Sequence, residues 1–98
     1  MTRVRFDSVI HPEQRIRICA FLFPNDEVAF SVMREALGMS ESALSRQVKI
    51  LVEAGYVSMT RETGVPRPRS WVALTPEGRG ATKGHLQALQ QMVADSDQ

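Results

Sequence analysis

Hydrophobic residues recur along this 98-residue chain with two periods, about 3.6 and 2, and the switches between them divide it into elements. From Pro12 to Phe23 the period is helical. Ile16, Cys19, Ala20 and Phe23 fall on one face, and Ile18, Phe21 and Leu22 on another. Pro12 suits a first helical position, where its missing N–H would have no partner anyway. A helix apolar on two faces needs cover on two sides, and in so short a chain another subunit is one source of it. Pro24-Asn25-Asp26 then breaks the helix and turns the chain. Val28 to Phe30 reads as a short extended piece. Ser31 is placed to cap a helix over Val32 to Leu37, which Gly38 ends. Ser40 caps a further helix running to about Ala54, with Gly55 as its stop. Two short helices joined by a three- or four-residue turn containing glycine are the pattern of a helix-turn-helix, here over about residues 31–54.

The period then becomes 2. Val57 and Met59 alternate with Ser58 and Thr60, and Val72 and Leu74 alternate with Trp71 and Ala73. The Gly64-Val65-Pro66-Arg67-Pro68 stretch between them is a loop by composition, so a long hairpin is expected over about residues 56–75. Thr75-Pro76-Glu77 supplies a cap, a first-turn proline and an acid at the positive end of a helix dipole. A last helix is therefore expected over about residues 76–94, through Leu86, Leu89, Met92 and Val93. Its Gly78, Gly80 and Gly84 each cost about 0.5–1 kcal/mol relative to alanine, so packing must offset them. Asp95 to Gln98 read as a frayed tail. The expected order is α–(β)–α–α–β–β–α: an α+β domain, mainly α, spanning residues 1–98.

Composition narrows the class. With 43% hydrophobic and 23% charged residues the chain reads as one soluble globular domain. No apolar run approaches the roughly 18 residues of a membrane span. MTRVRFDSVI has no long apolar segment followed by a small-residue cleavage site, so no secretory signal is expected. A single cysteine, Cys19, excludes an internal disulfide framework and fits a reducing cytoplasm. With two distant histidines it makes no structural zinc site. No metal, cofactor or membrane partner is expected.

The net charge of +1 is unevenly spread: −1 over residues 1–41, +3 over residues 42–75 and −1 over residues 76–98. A basic middle suggests a surface facing a polyanion, although charges on a chain this short also scatter by chance.

Within that middle, Leu44, Val48 and Leu51 share one helical face and Ser42, Ser45, Arg46 and Lys49 share the opposite one. Short hydroxyls let a backbone approach a major groove, and an arginine can bridge two acceptors on guanine. Lys49 suits a phosphate, and the free N–H groups near Ser40 to Ser42 suit another. An ordinary solvated helix face has the same pattern. Arg61, Arg67 and Arg69, beside a proline-stiffened loop, can reach a minor groove or flanking phosphates; arginines at hairpin edges also keep those edges soluble.

Together these residues resemble the winged helix-turn-helix transcriptional regulators, in particular small stand-alone domains related to the multiple-antibiotic-resistance (MarR) regulators. The resemblance runs from Phe6 to Leu89. It rests on Ile10-His11-Pro12 before Arg15-Ile16-Arg17-Ile18, and on Phe30 before Met33-Arg34-Glu35-Ala36-Leu37-Gly38. It continues through Leu44-Ser45-Arg46-Gln47-Val48-Lys49 and Leu51-Val52-Glu53-Ala54-Gly55-Tyr56-Val57, and closes with Arg69, Trp71 and Leu74-Thr75-Pro76-Glu77-Gly78. Single pieces are weak; their order and spacing together are specific. The resemblance implies a homodimer on double-stranded DNA with a near-palindromic operator, more often a repressor. It places Ser42, Ser45, Arg46 and Lys49 on the recognition helix and Arg67 and Arg69 on the wing; Ser40 and Arg61 join these DNA-binding candidates through the helix-end and hairpin patterns above. It also implies that the first and last helices pair across the dimer, through Ile18, Phe21, Leu22, Leu86, Leu89 and Val93. The larger regulators enclose an effector pocket between longer terminal helices; here the chain ends soon after Val93, so a small-molecule effector is not expected.

Other residues invite sharper readings. Cys19 is expected to be an inert buried thiol rather than a redox sensor. His11 and His85 lack a companion ligand for a metal or proton switch. Trp71 is expected to cover the core or the last helix. Gly38-Met39-Ser40-Glu41-Ser42 lacks the second glycine of a nucleophile elbow, and no phosphate-binding glycine loop or His-Glu-x-x-His is present, so no enzyme is expected. The rival from another class is a winged helix used as a protein-interaction module, which needs no basic stripe.

Overall fold

A computed structural model describes residues 5–96. The elements are α1 (Glu13–Leu22), β1 (Val28–Ala29), α2 (Phe30–Leu37), α3 (Glu41–Glu53), β2 (Val57–Arg61), β3 (Ser70–Leu74) and α4 (Pro76–Ser96). The strands form one antiparallel sheet in the order β1-β3-β2, with Val28 opposite Val72 and Val57 opposite Leu74. This is the winged helix fold, mainly helical, with the β2–β3 hairpin as its wing.

Helix α1 is the centre of the domain. Ile18, Cys19 and Leu22 are fully buried, and α2, α3, α4 and β3 all pack around the helix. The second cover that its apolar content demands is therefore supplied by the chain's own elements. Ile18 and Leu22 have no surface left to give a second subunit, which corrects their assignment to a dimer interface. The buried face also takes residues from both of the expected apolar stripes, while Ala20 is exposed and Phe23 stays 38% exposed.

Pro12 stands at the cap of α1, one residue before its expected place in the first turn, and the helix ends around the α2–α3 turn follow their local chemistry with one exception. Ser40 caps α3, its hydroxyl accepting from the Ala43 N–H at 3.1 Å. Gly38 closes α2 in the left-handed region (φ 64°), and the Met39 N–H returns to the Arg34 carbonyl at 3.1 Å. That reversal sets the tight turn into α3. The exception is α2 itself, which begins at Phe30 with Ala29 at the cap and no side-chain cap bond. Ser31 is already inside the helix, because β1 pairing with β3 delivers the chain to Phe30 in position to turn.

Helix α4 explains one of its own glycines. A Cβ on Gly78 would stand 1.9 Å from the Tyr56 carbonyl oxygen, so only glycine lets α4 lie against the start of β2. Thr75 locks the same junction: its hydroxyl donates to the Gly55 carbonyl at 2.7 Å and accepts from the Gly78 N–H at 2.9 Å. No comparable neighbour lies within 4 Å of a Cβ on Gly80. The helix runs on to Ser96, so Asp95 and Ser96 are helical rather than frayed; residues 97 and 98 lie outside the described residues. From Gln91 onward every described residue is exposed. The described residues extend 58 Å along the long axis against 28 and 21 Å across.

Two β-face expectations need revision. Val57 is buried, but Met59 is 42% exposed. β2 is an edge strand that leaves the core as it enters the wing, so alternation no longer meets a covering layer. Trp71 lies on the sheet face opposite Val72 and Leu74, which are the core residues. It is not among the side chains packed on the core cluster. Its indole N–H instead donates to Glu62 Oε2 at 3.0 Å.

Candidate nucleic-acid interface

Helix α3 sorts its side chains by face. Leu44, Val48 and Leu51 are at most 1% exposed and fix the helix to the core. Ser42, Ser45, Arg46 and Lys49 point the other way and are all exposed, as is the capping Ser40. Burying three branched apolar side chains stabilises the docked helix by about 1.5–3 kcal/mol each, which holds the polar face at a defined angle. At the N-terminal end the Ser40 and Ser42 hydroxyls lie 3.4 Å apart beside the first-turn N–H groups.

The back of α3 is held from the side as well. Gln47 Oε1 accepts from Arg15 Nη1 at 2.8 Å, and Gln47 Nε2 donates to Gln14 Oε1 at 3.1 Å. These bonds tie α3 to α1 immediately beside Arg46. Nothing in the periodicity marked Gln47, because its partners lie 32 and 33 residues away.

In the wing, Arg61, Arg67 and Arg69 are all exposed. Arg61 Nη1 donates to the Ser70 hydroxyl at 3.2 Å across the β2–β3 pair. Glu62 braces the base of the loop: one carboxylate oxygen accepts from the Trp71 indole, the other from the Arg69 N–H at 3.0 Å. The Trp71 bond, followed by that from the Arg69 backbone, holds the Glu62 carboxyl below its usual range. Glu62 thereby staples a loop of glycine and proline to the strand ends, a role its place in the sequence did not signal.

Between α3 and β2 lies a cavity of about 330 Å³ lined by Ser45, Val48, Lys49, Val52 and Met59. Val52 and Met59 are 40% and 42% exposed, so an apolar strip runs beside the cationic face. A separate open cleft of about 530 Å³, lined in part by Arg5, Asp7, Tyr56 and Glu77, lies between the N-terminal segment and α4. Of the remaining expected interface residues, Phe21 and Leu89 are half-buried, Leu86 is 37% exposed and Val93 is 64% exposed. No group of three or more metal-ligating side chains is present among the described residues. Cys19 is enclosed, and burial pushes its thiol up to about 11.

Residues 14–93 match the model of the winged helix DNA-binding domain. The chain belongs to that family. It is 26% identical over 87 residues to the uncharacterized protein MJ0432 of Methanocaldococcus jannaschii, covering 89% of this chain and 90% of that one. Among solved structures, a transcriptional regulator homologue from Pyrococcus horikoshii OT3 superposes with a TM-score of 0.88 at 23% identity, over 97% of this chain and 94% of that chain. Overoxidized AbfR bound to DNA superposes at 0.73 with 18% identity, over 82% of this chain and 58% of that one. These likenesses show the winged helix fold. The matched family is one of DNA-binding domains.

Proposed function

We propose that this winged helix domain is a sequence-specific transcriptional regulator that binds a near-palindromic operator as a homodimer, in the cytoplasm, and acts as a repressor. The observation that carries the reading is the exposure of two basic elements, the first of which shares a cavity with Met59 of β2, the strand that leads into the wing. The two elements are the Ser42, Ser45, Arg46, Lys49 face of α3 and the Arg61, Arg67, Arg69 wing. The recognition helix enters the major groove, Arg46 reads a base edge and Lys49 meets phosphate. The Ser40 end of α3 holds a second phosphate with its free N–H groups. The wing arginines contact the flanking backbone or the minor groove.

Support for the dimer comes from α4. Leu86, Met92 and Val93 are exposed on a helix whose last turns have no cover among the described residues, and Leu89 lies between them. A two-fold pairing through these residues would set two recognition helices about one DNA turn apart, roughly 34 Å, on an inverted repeat. The interface is thus proposed from α4 and Phe21, without Ile18 and Leu22.

Selection from randomised duplex DNA at two salt concentrations tests the reading. Enrichment of an inverted repeat is expected, with affinity falling by about 0.9 log units per neutralised phosphate for each log unit of salt. Folded protein that enriches no sequence at low salt would overturn it in favour of a protein-interaction module.

A further inference from the structure

The two histidines, 74 residues apart in sequence, meet in the fold. His85 on α4 is fully buried, and its Nε2 lies 3.4 Å from Nδ1 of His11. The Phe6 ring packs against both imidazoles with centroids 4.8 Å away. On its other side, His85 Nδ1 accepts the Asp7 N–H at 2.9 Å. A backbone N–H can only donate, so Nδ1 of His85 carries no proton and the ring's hydrogen sits on Nε2. That hydrogen points at His11 Nδ1, which must accept it. The seated arrangement therefore requires both rings neutral, with their tautomers assigned by their partners.

A second proton has no place to go. On His85 it would occupy Nδ1 and face the Asp7 N–H; on His11 it would occupy Nδ1 and face the His85 N–H. Either way donor meets donor. A metal ion between the rings meets the same obstacle, because freeing Nε2 of His85 moves its hydrogen onto Nδ1.

The segment held in this way reaches the recognition helix. Arg5 N–H donates to the Gly84 carbonyl at 3.2 Å, and the Asp7 carboxylate accepts from the Val9 and Ile10 N–H groups and from the Tyr56 hydroxyl at 2.6 Å. The Val9 carbonyl accepts from Arg15 Nε, and the same guanidinium donates to Gln47 on α3, next to Arg46. Tyr56 lies three residues beyond the end of α3, at the turn into β2.

We propose that the His11–His85 pair is an acid-released latch: neutral, it seats residues 5–11 on α4, and protonation of either ring unseats them and loosens the support of the recognition helix. Asp7 is the charged side chain beside His85, and the ionisable groups that bond the segment or line the cleft next to it are Arg5, Arg15 of α1, Tyr56 before β2 and Glu77 of α4, with Cys19 of α1 near Asp7 and Arg15. Imidazole alone among these side-chain types ordinarily titrates between pH 5 and 8. Burial, then the neighbouring His11, holds His85 below the usual imidazole range, and the Asp7 charge opposes this only in part. A base whose folded value is depressed contributes stability in full above its unfolded value, about pH 6.5. That contribution is lost as pH falls below it toward the folded value.

The consequence for DNA rests on the regulator reading, so the test has one readout with DNA and one without. Amide protection factors of Val9 and Ile10 are expected to fall at least about tenfold between pH 7.5 and 5.5, and operator affinity to fall several-fold over the same range. His85→Asn, whose amide oxygen still accepts the Asp7 N–H but does not titrate, is expected to flatten the His85 share of both changes. Protection factors equal at the two pH values overturn the latch, as does an undiminished pH response in His85→Asn. If that variant fails to fold, the wild-type comparison still decides. Lost protection with unchanged affinity for an established operator overturns the coupling to α3. Absence of DNA binding at pH 7.5 overturns the regulator reading while the exchange result judges the latch separately.

Discussion

Helices α3 and α4 obey opposite rules of burial. Along α3 the apolar residues Leu44, Val48 and Leu51 are inside and the serines and cations outside. Along α4 the buried residues are Gly78, Thr82, Gly84, His85 and Ala88, while Leu86, Met92 and Val93 stay exposed. The difference is one of distance. Helix α3 stands off the core by the width of a branched side chain, so hydropathy decides which face goes in. Helix α4 lies so close to Tyr56 and the N-terminal segment that small or hydrogen-bonded residues must occupy its inner face, and its apolar residues turn outward.

The sharpest way to break that contrast is Gly78→Ala. The added methyl meets the Tyr56 backbone, not a movable side-chain end, so a loss of about 3 kcal/mol, at the upper end of the overpacking range, is expected. Chemical denaturation measures it, and a neutral result would mean that α4 does not need its close approach. On α3, Arg46→Ala is expected to cost about 1–3 kcal/mol in operator binding and relax one base position, with the thermal midpoint unchanged. Binding isotherms on single-base operator variants would expose an error, since a uniform loss at every position makes Arg46 a phosphate contact. Ser40→Ala removes the α3 cap and is expected to destabilise by about 1 kcal/mol, read from the shift of a urea midpoint.

Gly80→Ala gives a smaller effect of opposite sign. With no atom within 4 Å of the new methyl beyond the local helix backbone among the described residues, a gain of about 0.5–1 kcal/mol is expected. The opposite responses of two glycines two residues apart would tie the cost at Gly78 to contact rather than helix propensity. Smallest for the isolated chain is Leu86→Ser with Val93→Ser, expected to change stability by about 0.5 kcal/mol or less at micromolar dilution. Sedimentation at higher concentration should nonetheless show the pair abolishing association. Unchanged association would remove α4 from the interface.

The elements themselves were legible because each carries a local cause. Ser40, Gly38, the Thr75-Pro76-Glu77 start and the shift of period at Tyr56 act within a few residues of themselves, and the α3 faces follow from 100° per residue. The departures have long-range causes. Ser31 lost its capping role to the β1–β3 pairing, which joins Ala29 to Trp71, 42 residues away in sequence, and Trp71 turned away from the core to meet Glu62.

Pattern and spacing were thus enough for the order of elements, the sorted recognition helix and the basic wing, since side-chain period and turn chemistry are properties of neighbouring residues. Which apolar residues are covered by the chain itself was settled by packing. Helix α1, apolar on both sides, is packed by α2, α3, α4 and β3 of its own chain. The meeting of His11 with His85 also belongs to packing, because no local rule relates residues 74 positions apart. Only the seating of the N-terminal segment on α4 brings the two rings together.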